Sequence, residues 1–87
     1  MEVKIGTVTH YFSKISVAVL CLSEDLNLGD QIHIQGHTTD LIQTIGSMEV
    51  EHDKVETACP GMDVAIRVAD RVRAGDIVFR VAEKVAG

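Results

Sequence analysis

Apolar residues recur at every second position in several short segments of this chain. Between Gln31 and Gln35, Ile32 and Ile34 alternate with polar neighbours, so His33 is predicted to face outward. A period of two is typical of strands, whose successive side chains point to opposite faces. Valine and isoleucine, which are branched at Cβ and favour strands, together far outnumber leucine. The pattern predicts an all-β protein, with further strands in segments 47–52, 63–68 and 77–81.

Two segments depart from simple alternation. Residues 15–22 are apolar at both odd and even positions, which predicts a strand covered on both sides with Cys21 as a small core residue. In the first strand, Gly6 interrupts the alternation between Ile5 and Val8 and switches its parity. A strand glycine with such a switch predicts a β-bulge at Gly6.

Gly-Asp pairs precede two of the predicted strands. Gly29-Asp30 leads into Ile32, and Gly75-Asp76 leads into Ile77. Glycine tolerates a positive φ in a tight turn, and the aspartate carboxylate can accept backbone N–H bonds within it. We therefore assign structural turns to Gly29, Asp30, Gly61, Gly75 and Asp76. This spacing of strands and turns suits a small barrel or a sandwich.

Length and composition restrict the class of protein. The chain has 87 residues, enough for one domain over 1–87, with 83–87 predicted as a frayed tail. Its longest apolar run, residues 17–22, is far shorter than a membrane span. No signal peptide is visible at the N-terminus, and two cysteines do not make a disulfide scaffold. These features predict a cytoplasmic protein with two thiols and no membrane partner.

No sequence motif for catalysis or cofactor binding is present. Phosphate-binding loops of the Gly-x-x-x-x-Gly-Lys and Gly-x-Gly-x-x-Gly types are absent, so no cofactor is predicted. His33 and His37 are four residues apart, which is a metal-ligand spacing on a helix, but here they flank a strand end and a turn at Gly36. The histidines are therefore interpreted as surface or rim residues, with no metal site. Cys59 lies in a turn and is expected nearer solvent. Glu49 and Glu51 alternate with Met48 and Val50, which predicts a solvated strand face. The sequence predicts no catalytic residue and no enzyme.

Charge is distributed unevenly along the chain. The net charge is −5, with 2 basic and 8 acidic side chains in residues 1–53 but 6 basic and 5 acidic in residues 54–87. The acidic balance disfavours nucleic-acid binding by bulk charge. Arginines late in the chain are predicted to lie on or beside two neighbouring strands joined by the Gly75 turn. Planar guanidinium groups suit phosphate or carboxylate partners, although three interleaved aspartates could neutralise them. The candidate partner-binding residues are Arg67, Arg71, Arg73 and Arg80.

A longer pattern resembles the second domain of translational GTPases such as elongation factor Tu. The residues that carry it are Val55, Ala58, Gly61 and Val64, at the spacing of that family's Val-x-x-Ala-x-x-Gly-x-x-Val loop. Flanking matches are Gly6-x-Val8, Leu28-Gly29-Asp30-x-Ile32 and Val72-x-x-Gly75-Asp76-x-Val78. The resemblance implies a small closed antiparallel β-barrel of the Greek-key type, with about six or seven strands. Similar barrels are accessory domains at the end of collagenase-like peptidases and in some RNA-modifying proteins.

Three functions stay open at this point. The first is a non-enzymatic binding module, in which the four arginines contact tRNA, the ribosome or an RNA-handling protein. The second is a protein-interaction accessory subunit of a separately encoded enzyme, without RNA contact. The third is a small metal or thiol enzyme that uses His33, His37, His52 or Cys59. Apolar residues on both faces of residues 15–22 are also compatible with a homodimer.

Overall fold

The fold consists of strands alone in the part of the chain that the computed structural model describes, residues 2–81. The ten strands are β1 (Glu2–Phe12), β2 (Val17–Leu22), β3 (Leu26–Asn27), β4 (Gln31–Gln35), β5 (Asp40–Thr44), β6 (Met48–Val50), β7 (Asp53–Val55), β8 (Thr57–Ala58), β9 (Asp63–Arg67) and β10 (Ile77–Val81). Their pairings are antiparallel, which confirms the all-β class. Within residues 2–81, no helix is long and apolar enough to cross a membrane. The predicted frayed tail, residues 83–87, lies outside the described residues.

Eight strands form one curled sheet in the order β5-β4-β10-β1-β2-β9-β6-β7, and β3 pairs with β8. The prediction of a closed barrel of six or seven strands is wrong, because β5 and β7 remain edges of an open sheet. Across the curl, Gln43 in β5 reaches the end of β9 with its side chain. Its Nε2 donates to the Arg67 carbonyl oxygen at 2.9 Å, and its Oε1 accepts from the Ala69 N–H at 2.7 Å. One amide thus connects β5 to the end of β9, two strands that are not neighbours in the sheet.

The core lies inside the curl of the sheet. The small sheet of β3 and β8 covers part of it, because Leu26 pairs with Ala58 and both are fully buried. The alternation of each strand supplies the remaining core side chains from its inner face. The largest of these are Ile5, Leu20, Ile32, Ile34, Met48 and Ile66, and Ile45, just after β5, joins them in the core.

Two irregularities bend β1 so that it can pair with β10 at one end and β2 at the other. The register with β10 shifts between Lys4 and Gly6, and the register with β2 shifts between Val8 and His10. The predicted bulge at Gly6 is confirmed. A Cβ atom at Gly6 would stand 2.6 Å from the Cys21 carbonyl oxygen, so the glycine also permits close approach of the two backbones.

The two Gly-Asp turns share one geometry. Gly29 and Gly75 have φ of 89° and 98°, and each following aspartate carboxylate accepts a backbone N–H at 2.9 Å, from Asn27 to Asp30 and from Arg73 to Asp76. The carboxylate therefore satisfies a donor that the turn would otherwise leave unpaired. Gly61, with φ of 88°, turns the chain before β9.

A tight hairpin interrupts the segment predicted as one strand over residues 47–52. Met48 pairs with Val55 and Val50 with Asp53, so Glu51 and His52 form a two-residue turn between β6 and β7. Both have positive φ, 52° and 72°. Two-residue hairpin turns often require this conformation, which asparagine and glycine adopt most easily. The prediction failed because neither residue at the turn is of those types.

Candidate docking face

The outer face of β1, β2 and β9 is apolar and open to solvent. Ala18, Leu20 and Leu22 of β2 point into the core, so Val17 and Val19 point outward, where both are half-buried. The prediction that this strand is covered on both sides is therefore wrong: within residues 2–81 nothing packs over its outer face. Cys21 belongs to the same outward set and is exposed, which corrects its assignment to the core, whereas the predicted exposure of Cys59 is confirmed.

Three loops project beside this face and enclose a groove of about 720 Å³. We name it the β2 groove. The β1–β2 turn contributes Ile15, which is 59% exposed, and the turn before β9 contributes Met62, which is 40% exposed. Phe12 closes one end at 45% exposure, and the Glu51–His52 turn stands opposite. Large apolar side chains this exposed and this close together are uncommon on a soluble monomer and indicate a contact surface.

Within residues 2–81, the acidic and basic side chains that line the β2 groove are the carboxylates of Glu49, Glu51 and Asp63 and the imidazole of His52. Lys54 lies directly across the hairpin from Glu49 but lines a different depression. The face therefore combines an apolar floor with an acidic border, an arrangement that attracts cationic groups on an apolar partner. The predicted solvated face of Glu49 and Glu51 is in fact one wall of this groove.

A second polar cluster surrounds His33 on the outer side of β4. Its Nδ1 lies 2.7 Å from a Glu2 carboxylate oxygen, and its Nε2 lies 2.6 Å from Asp40 Oδ1. His33 is only 8% exposed, so its expected surface position is wrong. Hydrogen bonds that His33 donates to the carboxylates of Asp40 and Glu2 raise its pKa, since both ring nitrogens can donate only in the imidazolium form. Through these hydrogen bonds His33 of β4 contacts both Glu2 of β1 and Asp40 of β5.

The two carboxylates of this cluster lie at opposite nitrogens of the ring and do not converge on a single point. Among residues 2–81, no three His, Cys, Asp or Glu side chains are placed to share a metal ion. His37 is exposed between β4 and β5, and His52 is exposed in the β6–β7 turn. The histidines proposed for a metal enzyme are therefore distributed over separate parts of the surface.

The four candidate arginines are distributed over different parts of the surface. Arg71 and Arg73 line one cleft together with Asp40 and Asp70. Arg80, in β10, donates to the Asp25 carbonyl oxygen at 2.6 Å. Arg67 ends β9, which is separated from β10 by β1 and β2, so the expectation that they are neighbouring strands is wrong. Their role in partner binding stays a prediction.

Sequence comparison finds similarity to parts of proteins that are named protease and collagenase. No family model matches the chain. It is 36% identical over 85 residues to an uncharacterized protease of Methanocaldococcus jannaschii, covering 97% of this chain and 21% of that protein. It is 35% identical over 81 residues to a collagenase of Porphyromonas gingivalis, covering 91% of this chain and 20% of that one. The chain thus spans about a fifth of the length of the curated relatives it matches.

Two solved structures share the fold. The C-terminal domain of a Geobacillus thermoleovorans protein described as a U32 peptidase has a TM-score of 0.86 at 17% identity, covering 91% of this chain and 92% of that one. Its selenomethionine form has a TM-score of 0.82 at 18% identity, covering 86% and 95%.

These findings overturn the resemblance to a translation factor, and with it the RNA-binding, translation-factor-like module. The residues that carried it serve packing: Ala58 and Val64 are fully buried, and Gly61 turns the chain. Such a pattern encodes a fold and not an activity. The prediction of no enzyme is wrong as well, because the relatives are named protease and collagenase. The alternative of an accessory part of an enzyme fits these relatives better. The chain is similar in sequence to one fifth of these proteins, and in fold to the C-terminal domain of a protein described as a U32 peptidase.

Proposed function

We propose that this sequence is an accessory β-domain of a peptidase of the U32 type, which assists the larger part of that enzyme in polypeptide hydrolysis. The observation that carries the proposal is the sequence match over 97% of this chain to 21% of a protein named as a protease. A match confined to one fifth of the relative is typical of a domain that accompanies a separate catalytic part. The fold shared with a C-terminal domain supports the same conclusion.

The surface of the domain is consistent with this role. The β2 groove exposes Phe12, Ile15 and Met62 to solvent, and an apolar patch of this kind gains stability when another protein surface covers it. A role in polypeptide hydrolysis accords with the names of the relatives, two of which are collagenases.

The test compares the full-length peptidase that contains this sequence with a form lacking residues 2–81. Hydrolysis of gelatin and of casein is measured by release of free amino groups. We expect the deletion to lower kcat/KM at least about tenfold, which corresponds to roughly 1.4 kcal/mol of transition-state stabilisation. Circular dichroism and thermal unfolding of the deletion form establish that the larger part remains folded. Equal kcat/KM for a folded deletion form and the full-length enzyme would contradict the proposal.

A further inference from the structure

We propose that the β2 groove docks an apolar segment bearing lysine or arginine, and that this segment belongs to the larger part of the same peptidase. This inference rests on the proposed function and specifies the surface through which the domain acts. It makes the groove an internal contact between parts of one enzyme.

The floor of the groove calls for apolar side chains in the occupant. Val17, Val19 and Ala65 form its base from neighbouring strands, since Val17 and Val19 lie on β2 and Val19 pairs with Ala65 of β9. Ile15 and Met62 rise at its sides. At about 720 Å³ the groove has the volume of a site that accepts several side chains at once.

The acidic border determines the charge of the occupant. Glu49, Glu51 and Asp63 line the groove, and among residues 2–81 no lysine or arginine lines it with them. A second copy of this chain docked face to face would bring two such sets of carboxylates together, and like charges at an interface disfavour association. The groove therefore favours a cationic partner over a homodimer.

The small size of the groove favours an occupant in the same polypeptide. A contact confined to this groove involves fewer residues than the roughly 20–30 on each side of a standard interface between separate proteins. A contact of this size is weak between independent molecules, but tethering raises the effective concentration to roughly the millimolar range. The relatives supply such a tethered partner, because four-fifths of their length lies outside the match.

Carbodiimide cross-linking of the full-length enzyme tests which surface occupies the groove. This reagent joins carboxylates directly to lysine amines in contact with them, and peptide mass spectrometry identifies the joined residues. We expect Glu49, Glu51 or Asp63 to be linked to lysines outside residues 1–87 of this sequence, within the same polypeptide. Links between two copies of this domain, or links from these three carboxylates only to lysines of this domain, would overturn the inference. An occupant that carries arginine alone forms no such links, and footprinting tests that case.

Radical footprinting gives an independent measurement on the same enzyme. We expect oxidation of Phe12 and Met62 to be at least about threefold slower in the full-length enzyme than in the separate 87-residue chain. The similar Geobacillus domain was crystallised on its own, which supports the use of the separate chain as the reference. The double substitution Glu49→Lys and Glu51→Lys should restore fast oxidation. The matched control, Glu24→Lys and Glu56→Lys, changes two exposed carboxylates outside the groove and should preserve the protection.

The two proposals fail in different ways. If the deletion form loses activity while Phe12 and Met62 are oxidised equally fast in both contexts, the docking inference is wrong and the proposed function stands. If the deletion form keeps full activity, the proposed function itself is wrong.

Discussion

Replacing Gln43 by alanine removes the side-chain link between β5 and the end of β9. The native amide makes two hydrogen bonds, to the Arg67 carbonyl at 2.9 Å and from the Ala69 N–H at 2.7 Å. Each neutral hydrogen bond contributes about 0.5–1.5 kcal/mol, and both lie near solvent, where water replaces part of the loss. We expect the free energy of unfolding to fall by about 1 kcal/mol and Tm by about 4–8 °C.

Urea denaturation followed by circular dichroism measures this change. The matched control is Gln35→Ala, a glutamine on the neighbouring strand β4 whose side chain makes no hydrogen bond within residues 2–81, and it should change stability by less than about 0.5 kcal/mol. Gln43→Glu separates the two bonds, because a carboxylate can still accept from Ala69 but repels the Arg67 carbonyl oxygen. Gln43→Glu should therefore destabilise at least as much as Gln43→Ala. Equal stability of Gln43→Ala and the control would refute the assignment of this amide as a link across the curl.

Three further predictions concern stability. The pKa of His33 is raised in the folded state, so the contribution of its charged form to the free energy of unfolding is fully present below the unfolded pKa near 6.5. This contribution is lost as pH rises through the folded pKa. Urea titrations at about pH 6–9 should show the loss, and His33→Gln should abolish the pH dependence. Gly75→Ala, at φ of 98°, should lower the free energy of unfolding by about 1–2 kcal/mol in urea denaturation. Gly46→Ala, without a positive φ and in open space, should lower it by less. Equal losses would contradict the requirement for glycine in the Gly75 turn. Leu20→Ala, at a fully buried site, should cost about 2–5 kcal/mol by the same assay, and a loss below 1 kcal/mol would contradict its place in the core.

Local periodicity predicted the strand class and much of the core. Ile32 and Ile34 alternate with polar residues in the sequence and are fully buried in β4. The same period cannot tell which face of a strand is covered when both are apolar. In residues 15–22, Leu20 is in the core while Val19 is on the groove, because coverage depends on strands distant in sequence.

The docking face itself could not be read from the sequence. It combines Phe12, Val19, Glu51 and Met62, which are brought together by the pairing of β1, β2, β6 and β9. The β6–β7 turn lacked the Asn-Gly signal of a two-residue hairpin, so Glu51 was assigned to a strand. Likewise His33 has the parity of a solvent-facing residue, but Asp40 on the neighbouring β5 and Glu2 on β1, beyond β10, contact its ring.

The position of β10 in the sheet has a consequence for how the protein is made. Among residues 2–81, β10 is the last strand in sequence, yet it lies between β4 and β1 and pairs with both. Until residues 77–81 have been synthesised, no strand pairing joins the two-stranded unit of β4 and β5 to the part of the sheet that contains β1. Such distant pairing makes folding slow, on the order of milliseconds to seconds, and leaves two strand edges exposed in the growing chain. Nascent chains that stop before Ile77 are therefore the ones most exposed to misassembly and to chaperone binding.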